Sequence, residues 1–464
     1  MLKFYNTKVH NVQEFIPATP GKVKMYGCGP TVYNLAHIGN LRAFVFYDLL
    51  NRYLRYKGFD VTFAINVTDV DDKTIRDSAA SGKTLKEFTK HYADLFFKDW
   101  DTLNLKRPDH VIFATDEIDA MIDLVQRLLD KGFAYKAPSG DIFFRISSYP
   151  EYGKMAGIDA SRLLANADGR LADEYEKEDA QDFALWKAWT ERDGNNYWDA
   201  PFGRGRPGWH IECSAMARKY LGQPIDIHTG GVDLVFPHHT NEDAQSVCAY
   251  GGEFVRYWMH NGHITVNGEK MSKSKGNSYT LTDLLNKGYA PEAIRYEIIK
   301  AHYRQRMDFN EGNMAGNQTV IDRLGEFLRR LTDVKGKNGW DSLQDAISRA
   351  EGAFERGLDD DLNMSVALAG IFEFMTDVNK HFDSLSEQDA KQITDLMRRF
   401  DTVLAVMPQI KEETLAPELQ ALIDKRQQFR LAKDWAGADA LKQELLFKGI
   451  EVKDTPAGPV WRKL

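Results

Sequence analysis

Between Lys22 and Gly58 the spacing of apolar positions changes once. Val23 and Met25 alternate with polar neighbours until Gly27, Gly29 and Pro30 interrupt them, so a strand is predicted to end there. From Leu41 onward Phe44, Val45, Leu49 and Tyr53 recur at helical spacing as far as Gly58, which predicts a helix with a glycine stop. Val61, Phe63, Ile65 and Val67 then alternate again as a second strand. Strand, helix and strand in about 45 residues predict a βαβ unit of a doubly wound sheet.

Roughly Leu95 to Phe202 reads as a block inserted into that sheet. Within it Ile118, Met121, Ile122, Val125, Leu128 and Leu129 form a helical stripe that stops at Gly132, and Ile142–Ile146 reads as a short strand. The acidic run Asp173–Asp179 reads as a solvated face. A helix starting near Trp209 and a strand at Ile225–His228 return the chain to the sheet. From about Leu281 the period is helical. Val320, Ile321, Leu324, Phe327, Leu328 and Leu331 form one stripe, others run through Val366–Phe374 and Ile393–Leu404, and Lys335–Gly339 is a break. Pro408–Pro417 reads as a linker. The predicted class is α/β, with a Rossmann-type doubly wound parallel sheet from residues 1–94 and 203–315 and an α/β insertion at 95–202. An α-helical bundle at 316–407 and a small C-terminal domain at 408–464 complete it.

Composition narrows the class of protein. A chain of 464 residues exceeds one core, and 43% hydrophobic with 28% charged residues is a globular composition. No apolar run suits a signal peptide or a membrane span, so a cytoplasmic protein without a membrane partner is expected. Cys28, Cys213 and Cys248 make no disulfide framework, which fits a reducing compartment. A net charge of −8 argues against indiscriminate nucleic-acid binding. From Asp424 to Leu464, however, nine Lys/Arg stand against six Asp/Glu, a locally basic tail.

Candidate chemistry falls at the element boundaries. His37-Ile38-Gly39-Asn40 opens the predicted helix, where unpaired N–H groups and the helix dipole favour phosphate, and Gly39 would let a nucleotide approach the backbone. Alone, His37 reads equally as a helix-capping histidine. Lys270-Met271-Ser272-Lys273-Ser274, followed by Lys275-Gly276-Asn277, places ammonium groups and hydroxyls on a Gly-flanked loop. Thr68, in the polar run after the second strand, either faces the ligand crevice or, with Asp69 as the other candidate, caps the next helix. Cys28 and Cys213 each lie beside a predicted strand end, and His238 and Glu242 are four residues apart on one helix face. Thiolate, imidazole and carboxylate are zinc donors, so these four make one candidate set. His239 with Asp243 is the rival pair on the neighbouring face, and Cys248 is left as a buried structural thiol.

The stretches CGPTVY…HIGN, GWHIECSAM, HTGGVDLVFPHH and KMSKSKGN, with AKDWAGADALKQEL…GI near the C-terminal end, resemble the cysteinyl-tRNA synthetase family. HIGN and KMSKS stand where class I aminoacyl-tRNA synthetases carry HIGH and KMSKS. The resemblance implies ATP-dependent formation of cysteinyl adenylate with release of pyrophosphate, then transfer of cysteine to tRNA(Cys). It implies one Zn2+ per chain on Cys28, Cys213, His238 and Glu242, and Mg2+ accompanying ATP. By the same resemblance His37 and Lys273 are catalytic, and His37, Gly39, Asn40, Lys270, Ser272 and Lys273 bind ATP. Gly29, Thr68, Trp209 and His228 are then expected to form the L-cysteine pocket.

The helical region and tail would grip tRNA and read its anticodon, with Trp435 as a stacking residue. Arg304 and Arg306 would either meet the tRNA bend or be ordinary surface charges. A monomer is expected. Asn40 replaces the second histidine of HIGH, and Thr240 stands where many members have Glu in HHENE. Serine is nearly isosteric with cysteine and an apolar pocket separates them poorly, so a thiolate-preferring metal suits the task. Selection by the metal then requires the site to accept the substrate sulfur, as a fifth ligand or by loosening Glu242. Two other readings are a ligase joining activated cysteine to an amino sugar and a non-catalytic paralogue that binds tRNA or cysteine. The C-terminal match argues against the first; intact His37, Lys273 and all four donors argue against the second.

Overall fold

The computed structural model describes residues 1–158, 182–271, 276–409, 415–455 and 458–463. Two compact units divide the chain, Met1–Pro408 and Gln409–Leu464. The first opens on an antiparallel hairpin, β1 (Lys3–Asn6) and β2 (Asn11–Glu14). It continues through β3 (Lys22–Gly27), α1 (Ile38–Tyr56) and β4 (Asp60–Val67), the expected strand–helix–strand order. Gly58 ends the helix as predicted, at a φ of 88° that disfavours side chains with a Cβ. Alternation in β4 predicts one buried face, yet every residue from Phe63 to Val67 is buried. It is an inner strand of a parallel sheet with cover on both faces.

α2 (Asp72–Ala80) and α3 (Leu85–Thr102) lead to β5 (His110–Phe113), which pairs in parallel with β4. The predicted insertion boundary at residue 95 therefore falls inside α3, and the chain leaves the sheet only after Phe113. An amphipathic helix looks the same whichever sheet follows it, and β5 has only 4 residues. The inserted part holds α4 (Ile118–Asp130), stopping before Gly132 as expected. It also holds an antiparallel sheet of β6 (Ala134–Lys136), β7 (Ile142–Phe144), β8 (Phe183–Ala188) and β9 (Gly205–Pro207). β9 carries that sheet past the predicted end at Phe202. The acidic run Asp173–Asp179 lies outside the described residues.

α5 (Trp209–Leu221), β10 (Ile225–Gly231), α6 (Thr240–Tyr250) and β11 (Val255–Asn261) restore the main sheet. Its order is β11-β10-β3-β4-β5, with every pair parallel. The winding reverses between β3 and β10, and ligand crevices open outside the carboxyl ends of strands at such a switch point. A second small sheet joins β12 (Ile264–Val266), β13 (Glu269–Lys270) and β14 (Met307–Phe309), the last of which interrupts the helical period expected after Leu281. α7 (Leu281–Asn286) and α8 (Pro291–Ile299) lie between β13 and β14.

α9 (Met314–Thr332), α10 (Leu343–Asp359), α11 (Met364–Lys380) and α12 (Glu387–Leu404) bury most of the predicted stripes, Ile321, Leu324, Phe327, Leu328 and Leu331 among them, while Val320 is half-buried and Val366 is exposed. A buried ion pair ties these helices to the sheet. Arg295 of α8 meets Asp48 of α1 at 2.6 Å and donates to the Leu404 carbonyl at 2.6 Å. Asp48 also pairs with Arg52 at 2.8 Å and accepts the Lys106 N–H at 2.7 Å. In the second unit α13 (Pro417–Leu431), α14 (Trp435–Phe447) and the hairpin β15 (Ile450–Thr455) and β16 (Gly458–Lys463) enclose Ile423, Leu445, Ile450 and Val452.

Removing one partner of a buried pair strands the other charge at a cost of about 3–5 kcal/mol. Asp48→Ala is therefore expected to lower the stability of the first unit by about that amount, read as a fall in the urea midpoint. A midpoint equal to that of the parent chain would contradict this role for the pair.

Candidate active site and metal centre

Two glycines let the end of β3 sit close against its neighbours. A Cβ on Gly27 would fall 2.9 Å from the Tyr47 ring, and one on Gly29 would fall 1.6 Å from the Asn66 carbonyl oxygen. Cys28 between them donates its N–H to the Thr229 carbonyl of β10 at 3.1 Å. Gly29 N–H donates to Asn66 Oδ1 at 2.7 Å, and Thr68 N–H to the Pro30 carbonyl at 3.0 Å. The turn after β3 is thus latched to β10 on one side and β4 on the other, which aims the Cys28 thiol into the switch-point crevice.

Four buried side chains from distant segments converge there. Cys28 Sγ lies 3.8 Å from Cys213 Sγ and 3.8 Å from Glu242 Oε1, and His238 Nε2 lies 3.1 Å from Glu242 Oε1. All four donor atoms fall within 4.8 Å of one another. Zinc bonds of about 2.3 Å to sulfur and about 2.0 Å to nitrogen or oxygen, at tetrahedral angles, separate two sulfurs by about 3.8 Å and nitrogen from oxygen by about 3.3 Å. The sulfur–sulfur and nitrogen–oxygen separations match those of common ligation, and Cys28 Sγ and Glu242 Oε1 stand slightly farther apart than the ~3.5 Å it asks of a sulfur and an oxygen.

A second group, Cys28, His228, His239 and Glu242, satisfies the same limit and shares two members with the first. His239 Nε2 is 3.2 Å from Cys28 Sγ, where common ligation asks for about 3.5 Å. The proposed rival pair comes apart. Asp243 turns away to an ion pair with Lys8 at 2.9 Å, while His239 turns inward between Cys28 and His260, the latter at 2.7 Å. Positions one apart on a helix point in different directions, and sequence spacing does not say which of them the core receives.

Electrostatics in this dry pocket favour a cation. Burial would raise the Cys213 thiol, but its hydrogen bonds with Cys28 and His238 prevail and bring it down to about 6. Burial and the adjacent Cys213 push Cys28 well up. Burial would raise the Glu242 carboxyl too, yet His228 and His238 hold it down to about 2. Burial would lower His238, but Glu242 and Cys213 lift it to about 10. A buried thiolate and a buried carboxylate are donors that a divalent metal neutralises.

The expected pocket residues surround this set. Trp209 stacks on His238 at 4.3 Å and 29°, and His228 Nε2 meets Glu242 Oε2 at 2.9 Å. Thr68 does not cap the next helix, and neither does Asp69. Asp71 caps α2, accepting from Lys73 and Thr74 N–H, while Asp69 accepts from Thr115. The Thr68 hydroxyl instead donates to Glu212 Oε2 at 2.6 Å and accepts from Asn66 Nδ2 at 3.1 Å. Among the described residues, His210 Nε2, His228 Nδ1 and Glu212 Oε1 are buried without a hydrogen-bond partner. Such atoms call for a ligand or water.

Sequence reasoning missed His210, Glu212, Asn66 and His260. His210 lies three residues before Cys213 on α5, and its Nδ1 is 2.8 Å from that of His238. The signal available was polarity: Asn66 and Glu212 stand in apolar surroundings. Thr240, the departure from HHENE, donates to the Val235 carbonyl at 2.7 Å, and Cys248 is buried apart from both donor groups.

At the start of α1 the His37 ring accepts the Asn40 N–H at 3.2 Å, and Asn40 Oδ1 accepts the His37 N–H at 3.2 Å. The Asn40 side chain thus completes a capping box, and no acidic residue stands in the first turn. The space over Gly39 is occupied by Met271, whose methyl would lie 2.4 Å from a Cβ there. Ser272 and Lys273 lie outside the described residues, and Lys270 is described only by its backbone, which pairs with Thr265.

A family profile described as "tRNA synthetases class I (C) catalytic domain" matches residues 14–319, and a DALR domain matches residues 353–408. A curated relative from Brachyspira hyodysenteriae, named cysteine–tRNA ligase, is 44% identical with 99% of each chain covered. Another so named, from Solibacter usitatus, is 45% identical over 100% of this chain and 99% of its own. The chain belongs to the cysteine–tRNA ligase family. Among solved structures, Mycobacterium tuberculosis methionyl-tRNA synthetase in complex with methionyl-adenylate has a TM-score of 0.61 at 20% identity, covering 83% of this chain and 88% of that one. Agrobacterium radiobacter LeuRS, in a ternary complex with tRNA, has a TM-score of 0.62 at 11% identity, covering 85% of each chain. At these identities the likeness is one of fold. The class I match of this cysteine–tRNA ligase family member spans His37, Met271 and both donor groups.

The two donor groups make opposite predictions. Cys213→Ala is expected to lose most of its zinc in a chelator competition, while His239→Ala retains it. The reverse pattern would assign the ion to the His228–His239 group.

Proposed function

We propose that the chain activates L-cysteine with ATP and attaches it to tRNA(Cys). The observation that carries this reading is the buried two-thiol donor set at the switch-point crevice, whose Cys28 lies on the β3–α1 connection that ends in His37. Cys28, Cys213, His238 and Glu242 would hold Zn2+, which favours a thiolate over a hydroxyl and so separates cysteine from serine. Gly29, Thr68, Trp209 and His228 would line the amino-acid pocket. Glu212 and Asn66 fix the Thr68 hydroxyl, and the Trp209 ring over His238 helps exclude water.

In the first step a carboxylate oxygen of cysteine attacks the α-phosphorus of ATP. A carboxyl–phosphate bond forms, the bond to the bridging oxygen breaks, and pyrophosphate leaves. No covalent protein intermediate is required; positioning and charge stabilisation supply the rate. The N–H groups at the start of α1, capped by His37, would face the phosphates with Gly39 and Asn40. Lys270, Ser272 and catalytic Lys273 would meet them from the other side, and Mg2+ would accompany the nucleotide. In the second step a ribose hydroxyl at the tRNA 3′ end attacks the carbonyl carbon, and AMP leaves.

The bundle at 316–407 and the C-terminal part at 408–464 would bind tRNA and read its anticodon. Trp435 is exposed and lies beside Arg430, which suits stacking on an unpaired base. Arg304 is held by Asp361 at 2.7 Å, which favours its reading as an ordinary structural charge. We take the chain to work as a monomer in the cytoplasm. In support, no described helix is long and apolar enough to cross a membrane, and all three cysteines are free thiols.

The test is ATP–pyrophosphate exchange with cysteine, with serine as control and with zinc stripped and restored. Exchange with cysteine alone, abolished by stripping and regained with zinc, is the expected outcome. Exchange that survives full removal would remove the metal from substrate selection, and an inactive zinc-loaded chain would overturn the reading.

A further inference from the structure

Arg42 stands just beyond the first turn of α1 and is 2% exposed. Among the described residues no carboxylate answers its charge. Its guanidinium is held by backbone carbonyls alone: Nη1 donates to His263 at 2.7 Å, and Nη2 to Gln305 at 2.6 Å, Tyr303 at 3.2 Å and His302 at 3.4 Å. Burial lowers it to about 10. A buried cation without a counter-ion is costly. What the guanidinium adds is geometry, a rigid fork that fixes several acceptors at once.

Those acceptors border the small sheet on whose strand β13 the second signature motif begins. His263 leads into β12, whose Thr265 pairs with Lys270 of β13, and β13 runs directly into Met271. The turn at 302–305 precedes β14, which pairs with the other side of β12. It is locked to the same spot, because Gly262 N–H donates to Tyr303 and Met307 N–H to His263, at 2.8 and 2.9 Å. A Cβ on Gly262 would lie 2.5 Å from the Gln305 oxygen, so the packing leaves no slack. The downstream side of the motif returns to α1 directly: Ile38 N–H donates to the Tyr279 carbonyl at 2.9 Å, and His37 bridges to Thr280. Both sides of the motif are therefore moored to the beginning of one helix, downstream at His37 and Ile38 and upstream through Arg42.

We infer that Arg42 is a positioning residue for adenylate formation, holding the upstream side of the KMSKS segment in register with His37 through the carbonyls of His263, Tyr303 and Gln305. The inference rests on the proposed function. It separates the two steps of the reaction, because pyrophosphate departs in the first and no longer figures in the second. A lysine keeps the charge but offers a single point of donation, so it should not replace the fork.

The test compares Arg42→Lys and Arg42→Met with the parent in the zinc-loaded full chain. Both variants are expected to keep one zinc and parental cysteine affinity by calorimetry, while kcat for exchange falls about 10- to 100-fold. Single-turnover transfer to tRNA from isolated, enzyme-bound cysteinyl adenylate should proceed at the parental rate. If Arg42→Met does not fold, Arg42→Lys decides. Parental exchange in Arg42→Lys, or equal losses in exchange and transfer, would overturn the inference while leaving the proposed function standing. An inactive parent would overturn both.

Discussion

Glu242 is a carboxylate sealed from water, and a group of that kind persists only where its neighbours answer it. Here the answer comes from four segments. His228 of β10 takes one oxygen, His238 ahead of α6 takes the other, and Cys28 and Cys213 complete the surroundings. Far apart in sequence, they meet because the winding of the sheet reverses between β3 and β10. The close passage of Gly27 and Gly29 then sets the depth at which Cys28 enters.

The start of α1 serves the other half of the chemistry. The first turn of the helix carries the reciprocal cap between His37 and Asn40, no acidic residue, and the Ile38 bond to Tyr279, and Arg42 just beyond it holds the carbonyls of His263, Tyr303 and Gln305. Asn40 is a substitution that local physics accommodates, since its side chain closes the capping box. Cys28 of the candidate metal set and the start of α1 share the β3–α1 connection, so the two proposed binding regions are linked by about ten residues of chain.

The βαβ unit was legible because period two gave way to period 3.6 and back, with glycines at both changes. The candidate donors Cys28, Cys213, His238 and Glu242, which the fold brings together, were legible as residue types and, for the last two, as a helical pair. Other features were not, for identifiable reasons. β5 is too short to carry a pattern, and β14 sits in a stretch whose period is otherwise helical. Thr68 and Asp69 fit an N-cap as well as Asp71 does, and only the position of Glu212 draws Thr68 into the crevice. His239 and Asp243 have the spacing of His238 and Glu242, and packing alone sends Asp243 out to Lys8. His210 and His260 are recognisable only once the residues they touch are known.

The central claim is that the two-thiol set holds zinc and that this metal selects the substrate sulfur. Zinc K-edge absorption of the full chain, with and without L-cysteine, tests it most directly. The account predicts two sulfur ligands in the absence of cysteine and three in its presence, with serine causing no change. One sulfur at the outset, or no added sulfur with saturating cysteine, would contradict it.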